Sequence, residues 1–318
     1  MTWPTSTVIA CILAFWMGYS VNQSGTCLVA SAHELHRRRR PRLFVGILAA
    51  SAAAGLVTVP LSWSGAVGAV LAESADISLT LLMGAVAFGV GAFINDACLL
   101  GSLGRLGDGE IRLIAVPIGL AAGFLLVDGI IVNRSPLWPS VLTAPSILAV
   151  TALAGFLAVV VLSLTYISDR TTSQSGRRWP LGVSMLVLGI TGGSLYAIAP
   201  VWTYVDLVRR SLPLTMAGTG EIAILTVLAS IAGAVSAALH QGKWRLQWPA
   251  IADIVNSLVG GALMGVGVAL IPGGNDGLVL AAIPAFSPGG TAAYLLMTAA
   301  VVLGLSARAR ISRKSTAA

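Results

Sequence analysis

Apolar residues run through this chain in long blocks, separated by short polar or basic gaps. The blocks fall at roughly 5–21, 43–62, 78–94, 111–132, 143–167, 182–203, 219–239, 251–272 and 291–306. Each approaches the ~20 apolar residues that carry a helix across a bilayer. Lipid offers no partner to backbone polar groups, so these blocks predict helices. Segments 22–36, 97–109, 204–218 and 277–290 are too short to cross. They predict half-helices or re-entrant segments, which are tolerated at membrane depth only where protein buries them or where they line a cavity. The expected fold class is all-α: a polytopic membrane protein of about nine spans.

Composition agrees. Of 318 residues, 56% are hydrophobic and 10% are charged, against roughly 25% charged in soluble domains. Mean hydropathy is +0.89. A single integral membrane domain over 1–318 is expected. The net charge of +7 would suggest nucleic acid in a soluble protein. Here the cations sit in the gaps between apolar blocks, so they mark topology and no nucleic-acid partner is expected. Residues 1–10 carry no Lys or Arg, so the first block is read as a true span and not as a secretory signal.

The cations orient the spans. With the N-terminus outside, Arg37, Arg38, Arg39, Arg40, Arg42, Arg105, Arg112, Arg170, Arg177, Arg178, Lys243 and Arg245 fall inside, as do Arg308, Arg310, Arg313 and Lys314 of a cytoplasmic tail at 308–318. Only Arg134, Arg209 and Arg210 fall outside. Positive charge collects on the cytoplasmic side, which points to a bacterial inner membrane. Trp3, Trp63, Trp138, Trp179, Trp202, Trp244 and Trp248 lie near span ends, where amphipathic rings anchor at the interface.

The two halves echo each other. Gly89-Val90-Gly91 is followed by Asn95-Asp96, and Gly265-Val266-Gly267 by Asn275-Asp276. Ser24 precedes Glu34 as Ser211 precedes Glu221, and Trp3-Pro4 and Trp179-Pro180 open the two series. The expected plan is a four-span repeat over about 1–135, a linking helix at about 140–168, and a second four-span repeat over about 178–307. One linking span inverts the second unit. Inverted repeats with a central site are a recurrent transporter plan.

Ionisable groups inside a membrane protein are costly and mark candidate sites. Asn95, Asp96, Asn275 and Asp276 follow apolar blocks, and their residue types predict capping of the half-helices that begin there. Cys27 and Cys98 stand at expected half-helix starts, where thiols are activated. Cys11 lies within an apolar helix and reads as packing. His33-Glu34-Leu35-His36 lacks the His-Glu-x-x-His zinc spacing, so no metal is expected. Gly218-Thr219-Gly220 opens a span and is no dinucleotide loop, and no P-loop occurs, so no cofactor is expected.

These motifs resemble the YeeE/YedE sulfur-transport family. The residues that carry the resemblance are Ser24-Gly25-Thr26-Cys27, Asn95-Asp96-Ala97-Cys98-Leu99-Leu100-Gly101, Leu103-Gly104-Arg105-Leu106-Gly107-Asp108-Gly109-Glu110 and Pro272-Gly273-Gly274-Asn275-Asp276-Gly277-Leu278. The resemblance implies a permease, not an enzyme, for a thiosulfate-like anion handed along cysteine S–H groups. It implies substrate contacts at Cys27, Cys98, Asn95, Asp96, Asn275, Asp276 and Gly274. Family members commonly carry a third cysteine in the second repeat, whereas this chain has Leu278 opposite Cys98 and none after it. Two other readings stay open: transport of a different small anion, or a membrane thiol protein passing persulfide sulfur to a soluble sulfurtransferase.

Overall fold

The computed structural model describes residues 3–25, 27–65, 69–128, 136–168, 178–212, 220–271 and 273–316. Thr26, Arg134, Arg170, Arg177, Gly218, Thr219 and Pro272, which figured in the motifs and charge pattern, lie outside the described residues. The helices are α1 (Trp3–Ser24), α2 (Leu28–Arg38), α3 (Arg42–Trp63), α4 (Leu79–Asn95), α5 (Leu99–Gly107), α6 (Ala115–Asp128) and α7 (Ile147–Ser168). They continue as α8 (Leu181–Ile198), α9 (Tyr204–Ser211), α10 (Glu221–His240), α11 (Ile251–Leu270), α12 (Asn275–Gly277) and α13 (Pro288–Thr316). A 3-10 turn, Ile111–Ile114, leads into α6, and a π turn, Leu278–Ala282, extends α12. Among the described residues, nine helical stretches are long and apolar enough to cross a membrane. The chain is an all-α, multi-pass membrane protein.

Span ends follow local chemistry. The sixth predicted span stops at Ile198 because Pro200 follows, and the fifth starts at Ile147, just after Pro145. The last helix runs through the expected tail to Thr316, since no Gly or Pro interrupts 305–316. The expected half-helix at 277–290 is shorter than its apolar block: α12 and its π turn end at Ala282. The other half-helices are α2, α5 and α9.

Helix α1 packs on α10 and α8, α3 on α8 and α7, α4 on α11 and α13, and α6 on α11. Exchanging α1 with α8, α3 with α10, α4 with α11 and α6 with α13 maps each pairing onto itself or another of the set, apart from α3 with α7. Lipid supplies no hydrophobic drive between helices, so small residues allow close backbone approach. On α6 and α11, a Cβ at Gly119 would stand 2.2 Å from the Leu258 carbonyl oxygen, and one at Gly265 would stand 2.5 Å from that of Leu120. Helix α7 is peripheral, and its Ile147, Val150 and Leu162 side chains are exposed as lipid-facing residues would be.

A two-stranded antiparallel ribbon pairs β1 (Ser74–Ala75) with β2 (Leu137–Trp138). Its neighbourhood covers the turn after α12: the Ala75 N–H donates to Ser287 Oγ at 3.0 Å, and Ser140 Oγ donates to the Ala285 carbonyl at 2.6 Å.

Candidate functional site

Helices α2 and α5 both begin at cysteines. Cys27 is the N-cap of α2 and Cys98 the N-cap of α5, each with extended backbone. Both thiols are free and buried. Their sulfurs stand 2.8 Å apart, and the Cys98 N–H donates to Cys27 Sγ at 3.1 Å. Cys98 Sγ also accepts from the Gly101 N–H and from Asn275 Nδ2, each at 3.4 Å. Asn275 belongs to α12, and from α9 the Tyr204 hydroxyl donates to the Leu99 carbonyl at 3.0 Å. The starts of α2, α5 and α12 therefore meet at one sulfur pair, and the first residue of α9 reaches the same turn of α5. The N–H groups and dipoles at the starts of α2 and α5 favour negative charge there.

Gly101 makes this meeting possible. A Cβ on it would lie 2.4 Å from Cys27 Sγ and 2.7 Å from Cys27 Cβ. Gly274, the N-cap of α12, is crowded in the same way: its Cβ would stand 2.5 Å from Asp276 Oδ1.

Two spaces flank the sulfurs. One is an open vestibule of about 1110 Å³. In its lining Arg37, Arg38, Arg42, Arg105, Arg112, Arg178, Lys243 and Arg308 outnumber Glu34, Asp96, Asp108, Glu110 and Asp253. The acids are engaged: Asp108 pairs with Lys243 at 3.1 Å, Glu110 with Arg105 at 2.7 Å, and Asp96 with Arg105 at 3.4 Å. A positively lined cleft concentrates anions. The other space is a small cavity of about 20 Å³, walled by Leu28, Ile47, Leu188, Asn275, Asp276, Leu280 and Tyr294 among others. Cys27 borders both.

Of the residues singled out in sequence, Cys27, Cys98, Gly274, Asn275 and Asp276 are brought together here. Asn95 and Asp96 are not. Asn95 is buried, donates to the Ala97 carbonyl at 2.9 Å and to Ser102 Oγ at 3.1 Å, and faces Arg112. Asp96 is the left-handed C-cap of α4, at φ 58°. Its half-exposed side chain reaches His33 at 3.3 Å in the vestibule wall. The expected capping by the Asn-Asp pairs is therefore corrected. The N-cap of α5 is Cys98 and that of α12 is Gly274. Asp tolerates left-handed backbone, so the first pair ends α4 instead of starting α5.

Other expectations are sharpened. His33 serves Asp96, and His36 lies 3.4 Å from Ser306 Oγ. Among the described residues, no cluster of His, Cys, Asp or Glu is arranged to hold a metal. Trp202 is no interfacial anchor: it is buried, edge-on to Tyr196 with ring centres 5.4 Å apart. Half-buried Cys11 stays in the body of α1.

Nothing in the sequence pattern singles out Tyr196, Tyr204 or Tyr294, and it marks Arg112 only by its charge and Glu110 only as a motif end. Arg112 Nη1 donates to the Asn95 carbonyl at 2.9 Å and to Ser257 Oγ at 3.0 Å, closing the end of α4 against α11. Glu110 holds that arginine at 3.3 Å as well as Arg105. Its side chain is only 14% exposed. Replacing it by glutamine leaves two guanidinium groups undercompensated, which is expected to cost about 2 kcal/mol, between exposed and fully buried pairs. A lowered melting temperature in detergent checks this, and an unchanged one would mean that water screens the cluster.

The sequence pattern of the sulphur transport family matches residues 23–303. No curated protein matches the chain. Because the match runs from the end of α1 into α13 and takes in every half-helix, the chain belongs to the sulphur transport family, the YeeE/YedE family that its cysteine and Asn-Asp motifs resemble, and is a sulfur transporter.

Proposed function

We propose that the protein is a permease for thiosulfate or a closely similar small sulfur anion, and that the anion passes the Cys27–Cys98 pair between the small cavity and the vestibule. The observation that carries this reading is the pair itself: two buried thiols in contact, one of which borders both spaces. An anion leaving water needs donors at each step. The thiols supply soft S–H donors, and the starts of α2 and α5 supply oriented N–H groups. Gly274, Asn275 and Asp276 form the wall on the cavity side; Asn95 and Asp96 form the wall on the vestibule side.

The vestibule faces the cytoplasm in this reading, because it gathers the cations that the positive-inside rule places there. The N-terminus is then outside, the C-terminus inside, and the membrane a bacterial inner membrane. The packing pairs that survive exchange of α1, α3, α4 and α6 with α8, α10, α11 and α13 support two inverted repeats over about 1–135 and 178–307.

The test is uptake by proteoliposomes offered labelled thiosulfate, sulfate, sulfite and phosphate in turn. Thiosulfate is expected to enter at least about tenfold faster than sulfate, a preference of about 1.4 kcal/mol. Equal rates would remove the sulfur specificity, and no flux above empty liposomes would end the permease reading.

A further inference from the structure

Asp276 lies in the interior, 6% exposed. Its Oδ2 accepts from the Tyr196 hydroxyl at 2.9 Å, while its Oδ1 is buried without a hydrogen-bond partner. Among the described residues it forms no ion pair. The titratable groups that face it are Tyr196 of α8, Tyr204 and Asp206 of α9, Cys98 and Cys27 at the starts of α5 and α2, and Tyr294 of α13. The wall from α3 is apolar, Ile47 and Ala50. None of these groups is a cation, so a negative Asp276 is balanced only by hydroxyl and backbone dipoles.

The cavity it borders has further orphans. Asn275 Oδ1 and the Tyr294 hydroxyl are buried without partners. Asn275 Nδ2 is committed to Cys98 Sγ. With Asp276 ionised, the free polar atoms of this wall are two acceptors and one hydroxyl. An anion cannot settle against acceptors, and a fixed carboxylate repels it strongly in a medium of low dielectric constant. A proton on Asp276 changes both terms at once: it removes the charge and turns an acceptor in the cavity wall into an O–H donor.

Resting on the permease reading above, we infer that Asp276 is a proton-binding site, loaded before the anion enters the cavity, and that the protein moves its anion together with a proton. The coupling is reciprocal, so anion binding also favours proton binding. Tyr196 is a positioning residue, holding the carboxyl by one oxygen and leaving the other without a partner.

The experiment uses the full-length protein in proteoliposomes with a pH dye inside and labelled thiosulfate outside. With wild type, an acid-outside gradient speeds thiosulfate entry severalfold, and thiosulfate added without a gradient acidifies the lumen. Thiosulfate entry that ignores the gradient and leaves the dye unchanged overturns the inference while leaving the permease reading standing. A wild type that carries no thiosulfate at all overturns the permease reading, and the inference falls with it. Asp276→Asn is expected to lose both the gradient response and the acidification per thiosulfate carried, at whatever rate it works. Retention of both overturns the inference. If that variant carries nothing, Tyr196→Phe decides. Loss of the hydroxyl donor destabilises the carboxylate, so the pH of half-maximal uptake moves upward, and an unmoved midpoint overturns the inference.

Discussion

Alanine at both Cys27 and Cys98 should lower thiosulfate uptake at least about a hundredfold. Hydrogen bonds to charged groups contribute ~1.5–3 kcal/mol each. Losing two donors along the path therefore removes about 3–6 kcal/mol, and each 1.4 kcal/mol is about tenfold. The protein should still assemble, because a buried thiol packs as a small hydrophobe and alanine keeps most of its shape. Size-exclusion chromatography of the purified variant checks assembly, and labelled uptake checks function. The serine pair makes the finer distinction. It keeps a donor at each position but replaces a soft sulfur with a hard, well-hydrated oxygen. If serine works as well as cysteine, the softness of sulfur is irrelevant. If the double alanine variant carries thiosulfate undiminished, the thiols have no part in the path.

Gly101→Val is the second large effect. The first carbon of any side chain at 101 falls 2.4 Å from Cys27 Sγ, well inside contact distance, and valine adds two methyl groups to it. Cys27 has to leave its place beside Cys98, so the junction between vestibule and cavity is lost. Uptake should drop at least about tenfold, and overpacking should cost roughly 1–3 kcal/mol of stability. Gly101→Ala should be intermediate. A paired change separates the two consequences: Cys27→Gly added to Gly101→Ala removes both the sulfur and the Cβ that the new methyl group would meet. The melting temperature should then recover while uptake does not. Wild-type uptake in the valine variant would show that the anion does not pass this point.

The spans were legible because block length in lipid is nearly a complete instruction: a run near twenty apolar residues has one structure available to it. The half-helices were legible for the complementary reason, being too short to cross. The cysteines also stood out, since both lie where short segments predict half-helices to begin, and both occupy N-caps. The Asn-Asp pairs show the limit. The dipeptide is the same in both halves, yet Asn95 is the last residue of α4 and Asn275 the first of α12. The difference is the sign of one backbone angle at Asp96, which composition does not encode. Tyr196 and Tyr294 were invisible because a tyrosine in an apolar block reads as an interfacial ring. Their roles come from α8 and α13 meeting α12, a contact between distant parts of the chain. Arg112 counted only as a marker of sidedness, whereas the structure uses it to satisfy the last carbonyl of α4.

The cavity beyond Cys27 bears on the energy economy of the cell. At about 20 Å³ it has room for roughly one water molecule, and the turn after α12 is covered by the ribbon and its neighbours. Among the described residues, this cavity is too small to hold a continuous file of water. If the proposed path runs through this cavity, a membrane crowded with copies of the protein stays an electrical insulator. The cell can keep the transporter ready while its substrate is scarce, without short-circuiting the ion gradients that drive its other work.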